Sequence, residues 1–216
     1  MTEPETETST MAMFPLGMVL IPTMVVPIHV FEPRYRQMTR DCLDGAREFG
    51  VVLIERGSEV GGGDIRTSAG TVANIIDAQE FPDGRWGLVV GGTRRIRVSR
   101  WLEDDPYPRA EVQDWPDASD GDDDGEEIAA QLPPVTATWR RVLALQSELG
   151  APGLPATFEV SDDPAIAIWQ LAALSPNGPL DRQRLLTAES PARRLSLLAE
   201  LLADAEEVIR ARIEMG

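Results

Sequence analysis

The chain has 216 residues, 43% hydrophobic and 26% charged, enough for one sizeable core or two small ones, with 36 acidic against 20 basic residues for a net charge of −16. Every basic residue is arginine, so the lysine of phosphate-binding loops, of Schiff-base chemistry and of Ser-Lys dyads has no counterpart. A single His29 and a single Cys42 leave no multi-His or multi-Cys zinc site and no intrachain disulfide.

Residues 1–10 are acidic and hydroxyl-rich without an apolar run, unlike a targeting signal, and residues 1–12 read as a disordered tail; Met11 and Met13 are alternative starts. No stretch approaches the roughly 18 apolar residues of a membrane span, so the expected location is the cytoplasm and no membrane partner is expected. Val19 to Phe31 is apolar but interrupted by Pro22 and Pro27, which suits extended edge segments. Pro33 opens a helix to about Ala46, with Tyr35, Met38, Cys42 and Ala46 at helical spacing and Gly45 or Gly50 to end it. Val51 to Ile54 is a continuous β-branched run of the kind buried on both faces, and a glycine-rich loop follows from Gly57 to Asp64. Thr71–Phe81 and Arg85–Val90 flank Pro82-Asp83-Gly84, where proline presets φ and glycine accepts a positive φ, so a hairpin is expected. Arg95 to Ser99 and Ala110 to Gln113 alternate with period two. Residues 13–116 are therefore expected to form a small, mostly antiparallel β-barrel or folded sheet with one inserted helix.

Residues 117–127 (DASDGDDDGEE) carry seven of the net negative charges and no basic residue, and read as a solvated acidic linker. From 128 to 216 the pattern turns helical. Trp139, Val142, Leu143 and Leu145 mark one helix, and Asp163-Pro164 opens another with Ile166, Trp169 and Ala173. Pro179 to Thr187 forms a short connector, and Ser190-Pro191 opens a last helix with Leu195, Leu198, Leu202 and Ile209. The expected fold class is α+β, a barrel domain followed by a helical bundle.

Phe14-Pro15-Leu16, Val19-Leu20-Ile21-Pro22 and the run from Pro27 to Met38 (PIHVFEPRYRQM) resemble the N-terminal substrate-binding domain of Lon proteases. Phe49 to Ile54, Val60-Gly61, Gly91 to Val98 (GGTRRIRV) and Pro106-Tyr107 with Ala110-Glu111-Val112 are similar to that family's later strands. Asp181 to Leu186 and Ala192 to Leu195 are similar to its helices, so the likeness spans roughly residues 14–210. The resemblance implies a PUA-like β-barrel followed by a helical bundle. Complete Lon proteases continue into an ATPase module and a Ser-Lys protease module. With the sequence ending at Gly216 and holding no lysine, the expectation is a recognition domain standing alone, not an enzyme and without a cofactor.

Phe31, Glu32, Pro33, Arg34 and Tyr35 are read as a structural strand-to-helix junction, in which Arg34 pairs with a carboxylate. His29 is expected to be packed and Cys42 to be a core thiol, since neither has a partner for nucleophilic chemistry. Methionine adapts to varied apolar partners, so Met13, Phe14, Met18 and Met24, with Trp86 and Trp101, are the candidate peptide-binding residues. Asp120, Asp122, Asp124 and Gly125 open like an EF-hand loop, but Gln131 replaces its bidentate glutamate, and no metal site is assigned. The expected partners are unfolded or tagged polypeptides and a separate protease. The alternative is a PUA-like RNA-binding module using Arg94, Arg95, Arg97 and Arg100, which the acidic balance disfavours.

Overall fold

The computed structural model describes residues 8–56, 65–118, 123–150, 154 and 158–215. Contacts divide the chain into two units, Met1–Pro116 and Asp117–Gly216.

The first unit holds β1 (Thr8–Leu16), β2 (Val25–Val30), α1 (Pro33–Asp44), β3 (Glu48–Arg56), β4 (Ile65–Glu80), β5 (Trp86–Trp101) and β6 (Arg109–Asp114). The strand order is β2-β5-β4-β3-β1-β6, and a further β5–β6 pairing closes β1, β3, β4, β5 and β6 into a ring. Among the described strands only β1 and β3 run parallel, a geometry that needs a crossover, which β2 and α1 supply. Strand β5 serves two neighbours on one side: Trp86–Gly91 pairs with β2, and Ile96–Trp101 pairs with β6.

Residues 8–12, expected in a disordered tail, are instead the first half of β1, paired from Thr8 opposite Gln113 to Ala12 opposite Arg109. Ladder hydrogen bonds to β6 and the half-buried Met11 side chain outweigh the polar composition there. The hairpin forms at Pro82-Asp83-Gly84, with Gly84 at φ 77° and Phe81 and Arg85 closing the turn. Both hairpin strands are longer than their apolar cores imply because shifts in register between Thr71 and Ala73 and between Ile75 and Asp77 bend them around the barrel.

Alternation along the ring strands sorts side chains into two cores. Met13, Val52, Val72, Ile96, Ala110 and Val112 fill the barrel interior. On the opposite face Phe14, Phe49, Val51, Ile28 and Leu88 pack with Tyr35, Met38 and Cys42 of α1.

The second unit contains α2 (Asp123–Glu148), α3 (Pro164–Leu174), α4 (Pro179–Thr187) and α5 (Pro191–Met215). The Asp163 carboxylate caps α3 by accepting from Ala165 N at 2.9 Å and Ile166 N at 3.3 Å, and Ser190 Oγ accepts from Arg193 N at 3.3 Å at the start of α5. The acidic stretch is less of a linker than its composition implies. Asp117 is tied to Arg194, and the helix begins at Asp123, with Glu126 and Glu127 near the positive end of its dipole. Asp120 and Asp122 lie outside the described residues, and the open loop an EF-hand needs is not formed, because Asp123 to Gln131 are helical. Helix α3 is apolar nearly all round: Ala167, Ile168, Leu171 and Ala172 are fully buried, whereas Ile166, expected on its buried stripe, is 42% exposed.

Candidate functional site

The sequence that builds the site is the passage from β2 into α1. Along β2 the side chains of Ile28 and Val30 point into the core, whereas Val25, Pro27 and His29 face outward. His29 is therefore exposed, not packed as expected, because the strand's two-residue period puts odd positions outside. Continuing that period, Phe31 is 53% exposed. Glu32 remains extended at φ −68° and ψ 137°, and Pro33 begins α1, where its missing N–H costs nothing. Arg34 Nε donates to Glu32 Oε2 at 3.1 Å, and its guanidinium lies 4.5 Å from the centre of the Tyr35 ring. Tyr35 is buried, with its ring centre 4.3 Å from that of Phe14. The motif thus divides. Glu32 to Tyr35 form the structural corner, and Phe31 is presented to solvent by it.

Two apolar hollows flank Phe31. One, of about 200 Å³, is lined by Phe14, Leu16, Met18, Pro27, His29 and Tyr35 among others. The second, of about 190 Å³, is lined by His29, Phe31, Phe81, Arg85 and Trp86. Both fall below the roughly 300 Å³ at which cofactor and drug-sized pockets begin, and each suits a single large side chain. No cluster of three or more metal-ligating residues exists among the described residues.

The structure brings three of the six candidate peptide-binding residues to this corner: Phe14 and Met18 line the first hollow and Trp86 the second. The other three lie elsewhere. Met13 is fully buried inside the barrel, because it alternates with Phe14 along β1, and it presents no surface to a ligand. Met24 packs, partly buried, against the core outside the barrel, its sulfur accepting from Ile21 N at 3.4 Å. Trp101 packs at the barrel core and carries Arg66 at 4.6 Å over its ring. Phe81 and the outward side of Phe31 escaped the sequence reading. The signal for Phe31 was the continuation of β2's alternation by one residue.

The arginines of β5 are engaged. Arg94 bridges Glu48 and Asp114 at 3.0 Å each, Arg100 pairs with Glu111, and Arg95 and Arg97 stack on the Trp115 ring at 4.3 and 3.7 Å. Cys42 is buried, and desolvation, with the nearby Asp41 charge, pushes its thiol up to about 11, away from nucleophilic thiolate chemistry. Tyr107 donates to Asp41 Oδ2 at 2.8 Å, and burial together with that bond pushes its phenol up to about 12.

The family model of the ATP-dependent protease La (LON) substrate-binding domain matches residues 10–204. Among curated proteins, Lon protease 2 of Sorangium cellulosum is 27% identical over the whole chain, and the Lon protease of Desulfovibrio desulfuricans is 27% identical over 91% of it. The chain spans 27% and 22% of the length of these two relatives. Among solved structures, a Lon N-terminal domain protein from Xanthomonas campestris is 30% identical with a TM-score of 0.60, covering 90% of this chain and 98% of that one. The N-terminal domain of Mycobacterium avium complex Lon protease, at 18% identity, shares the fold with a TM-score of 0.63 over 91% of this chain and 99% of that one. The mixed sheet, the inserted helix and the helical second unit accord with these likenesses, and the chain belongs to the Lon substrate-binding domain family.

Proposed function

We propose that this protein is a non-catalytic polypeptide-binding module, which holds unfolded or tagged chains in the cytoplasm and presents them to a protease. The observation that carries the reading is the exposed Phe31 between two side-chain-sized apolar hollows, held by the corner in which half-buried Arg34 covers buried Tyr35 and Phe14. A rigid aromatic flanked by apolar hollows contributes affinity through desolvation, which does not depend on the sequence of the captured chain. Family membership favours the same reading, since the matching model is that of a substrate-binding domain.

The RNA-binding alternative has less support. Phosphate affinity needs unengaged cations, whereas Arg94 and Arg100 are neutralised by carboxylates and Arg95 is buried beneath Trp115. Salt separates the two. The affinity for reduced, alkylated α-lactalbumin, measured by fluorescence anisotropy, is expected to be maintained or to rise between 0.1 and 1 M NaCl. A single-stranded RNA bound more tightly than that polypeptide at low salt, with affinity collapsing at high salt, would replace this proposal with the RNA reading.

A further inference from the structure

Among the described residues, strand β2 is paired on one side only, with β5. Among the described residues no strand lies beyond it, and Val25 is 61% exposed. The phase of its ladder is set where the strand begins: Gly92 N donates to Met24 O at 2.8 Å and Gly92 O accepts from Thr23 N at 2.9 Å, a bulged bridge that aligns Met24 with Gly92. With the register Val26–Val90, Ile28–Leu88 and Val30–Trp86, those alternate residues turn their backbone groups toward β5. The backbone groups of Val25, Pro27 and His29 therefore face the open edge. Pro27, which has no N–H, sits where it takes nothing from the β5 ladder. The open edge offers two donors, the N–H groups of Val25 and His29, and three acceptors, the carbonyls of Val25, Pro27 and His29.

We infer that this edge captures its polypeptide by strand addition. An extended, non-acidic segment of a partner chain lies alongside Val25–His29 and lays an apolar side chain into the hollow that Pro27, His29 and Phe14 line. This rests on the polypeptide-binding reading and specifies its geometry. Two features select a foreign segment over a second copy of this chain. Self-pairing of two β2 edges contains Pro27 twice, so two donors are missing, whereas a proline-free partner leaves only one missing. A second copy also brings another net charge of −16, while a neutral or basic segment is not repelled.

The test uses the full chain, labelled with nitrogen-15, and a capped nine-residue peptide of sequence Arg-Thr-Val-Thr-Phe-Thr-Val-Thr-Arg. With the peptide saturating, amide exchange at Val25 and His29 is expected to slow about tenfold or more, while Val26, Ile28 and Val30 are already protected in the free protein. Peptides N-methylated at alternate residues provide the second arm. Methylation on the edge that pairs should reduce affinity at least tenfold, and methylation on the other edge should leave it near the parent value. A bound peptide that leaves the Val25 and His29 amides unprotected would overturn strand addition, as would equal binding by both methylated peptides. So would failure of the peptide to bind while alkylated α-lactalbumin is held, in which case the broader reading stands. If neither is held, both fall. Protection of the two amides in a free protein that sediments as a dimer would assign the edge to self-association instead.

Discussion

Arg194 grips Asp117 with two hydrogen bonds, at 3.1 and 2.5 Å, while its own side chain is fully buried and its guanidinium stands 3.5 Å from the centre of the Trp169 ring. The same guanidinium donates to the Leu185 carbonyl at 3.2 Å. Desolvation pulls the Arg194 proton affinity down, yet arginine keeps its charge, so the buried cation depends on the Asp117 carboxylate for compensation. Asp117→Asn keeps the shape and removes that compensation. Because Asp117 is itself 23% exposed, the cost should fall toward the lower end of the ~3–5 kcal/mol seen when a buried pair is broken. Urea unfolding followed by helical circular dichroism should show a clearly lower midpoint; an unchanged midpoint would mean that water or the neighbouring carbonyls already satisfy Arg194.

Cys42 should be inert in the folded protein. It sits on the buried face of α1 with its thiol pushed up to about 11, so little thiolate exists and little of it is reachable. Iodoacetamide labelling at pH 8 should be at least about a hundredfold slower in the native protein than in urea. A thiol whose folded pKa is raised stabilises the fold below its ordinary value and loses that contribution as pH rises through about 11, so alkaline unfolding should accompany labelling there. Rapid native labelling at pH 8 would contradict the burial of this helix face.

In the helical unit, Glu206 receives Arg141 Nε at 3.2 Å and Arg210 Nη2 at 2.6 Å. The hydrogen bond from Arg141, aided by both positive charges, holds the Glu206 carboxyl below its ordinary value of 4.5. A depressed carboxylate stabilises the fold above its unfolded pKa, and that stabilisation disappears as pH falls through the lower folded value. Glu206→Gln should therefore cost stability at pH 7 and flatten the acid limb of the stability curve below about pH 4.5. The effect should be small, since both arginines are more than half exposed. An acid limb identical in the variant would show that the link between α2 and α5 contributes nothing.

Much of the architecture was legible from period and punctuation. Pro33, the Tyr35–Met38–Cys42 spacing, the Pro82-Asp83-Gly84 turn, Asp163 before Pro164 and Ser190 before Pro191 each mark an element end by local chemistry, and the elements form there. What local chemistry does not encode is partner choice. Thr8 to Ala12 became a strand because β6 offers it a ladder, and Asp117 left the acidic stretch because Arg194, 77 residues away, needs a carboxylate. The helix running through Pro133 and Pro134 has a similar cause, since buried Val135, Trp139 and Val142 anchor it beyond the prolines. For the site, methionine and tryptophan content pointed to adaptable apolar residues but not to where each side chain faces. Met13 and Phe14 are neighbours in sequence on opposite faces of one strand, a difference that depends on which face the barrel encloses.

The corner at Phe31 supplies the most direct test of the account. Phe31→Ala removes an exposed ring and Arg34→Ala removes the side chain that pairs with Glu32 and covers Tyr35, so the two changes should separate binding from folding. Titration of reduced, alkylated α-lactalbumin into each variant, with thermal unfolding measured alongside, is predicted to show Phe31→Ala binding at least fivefold more weakly at an unchanged melting temperature. Arg34→Ala is predicted to melt earlier, by roughly 1–2 kcal/mol of lost stability. Wild-type affinity in a correctly folded Phe31→Ala protein would contradict the assignment of polypeptide binding to this corner.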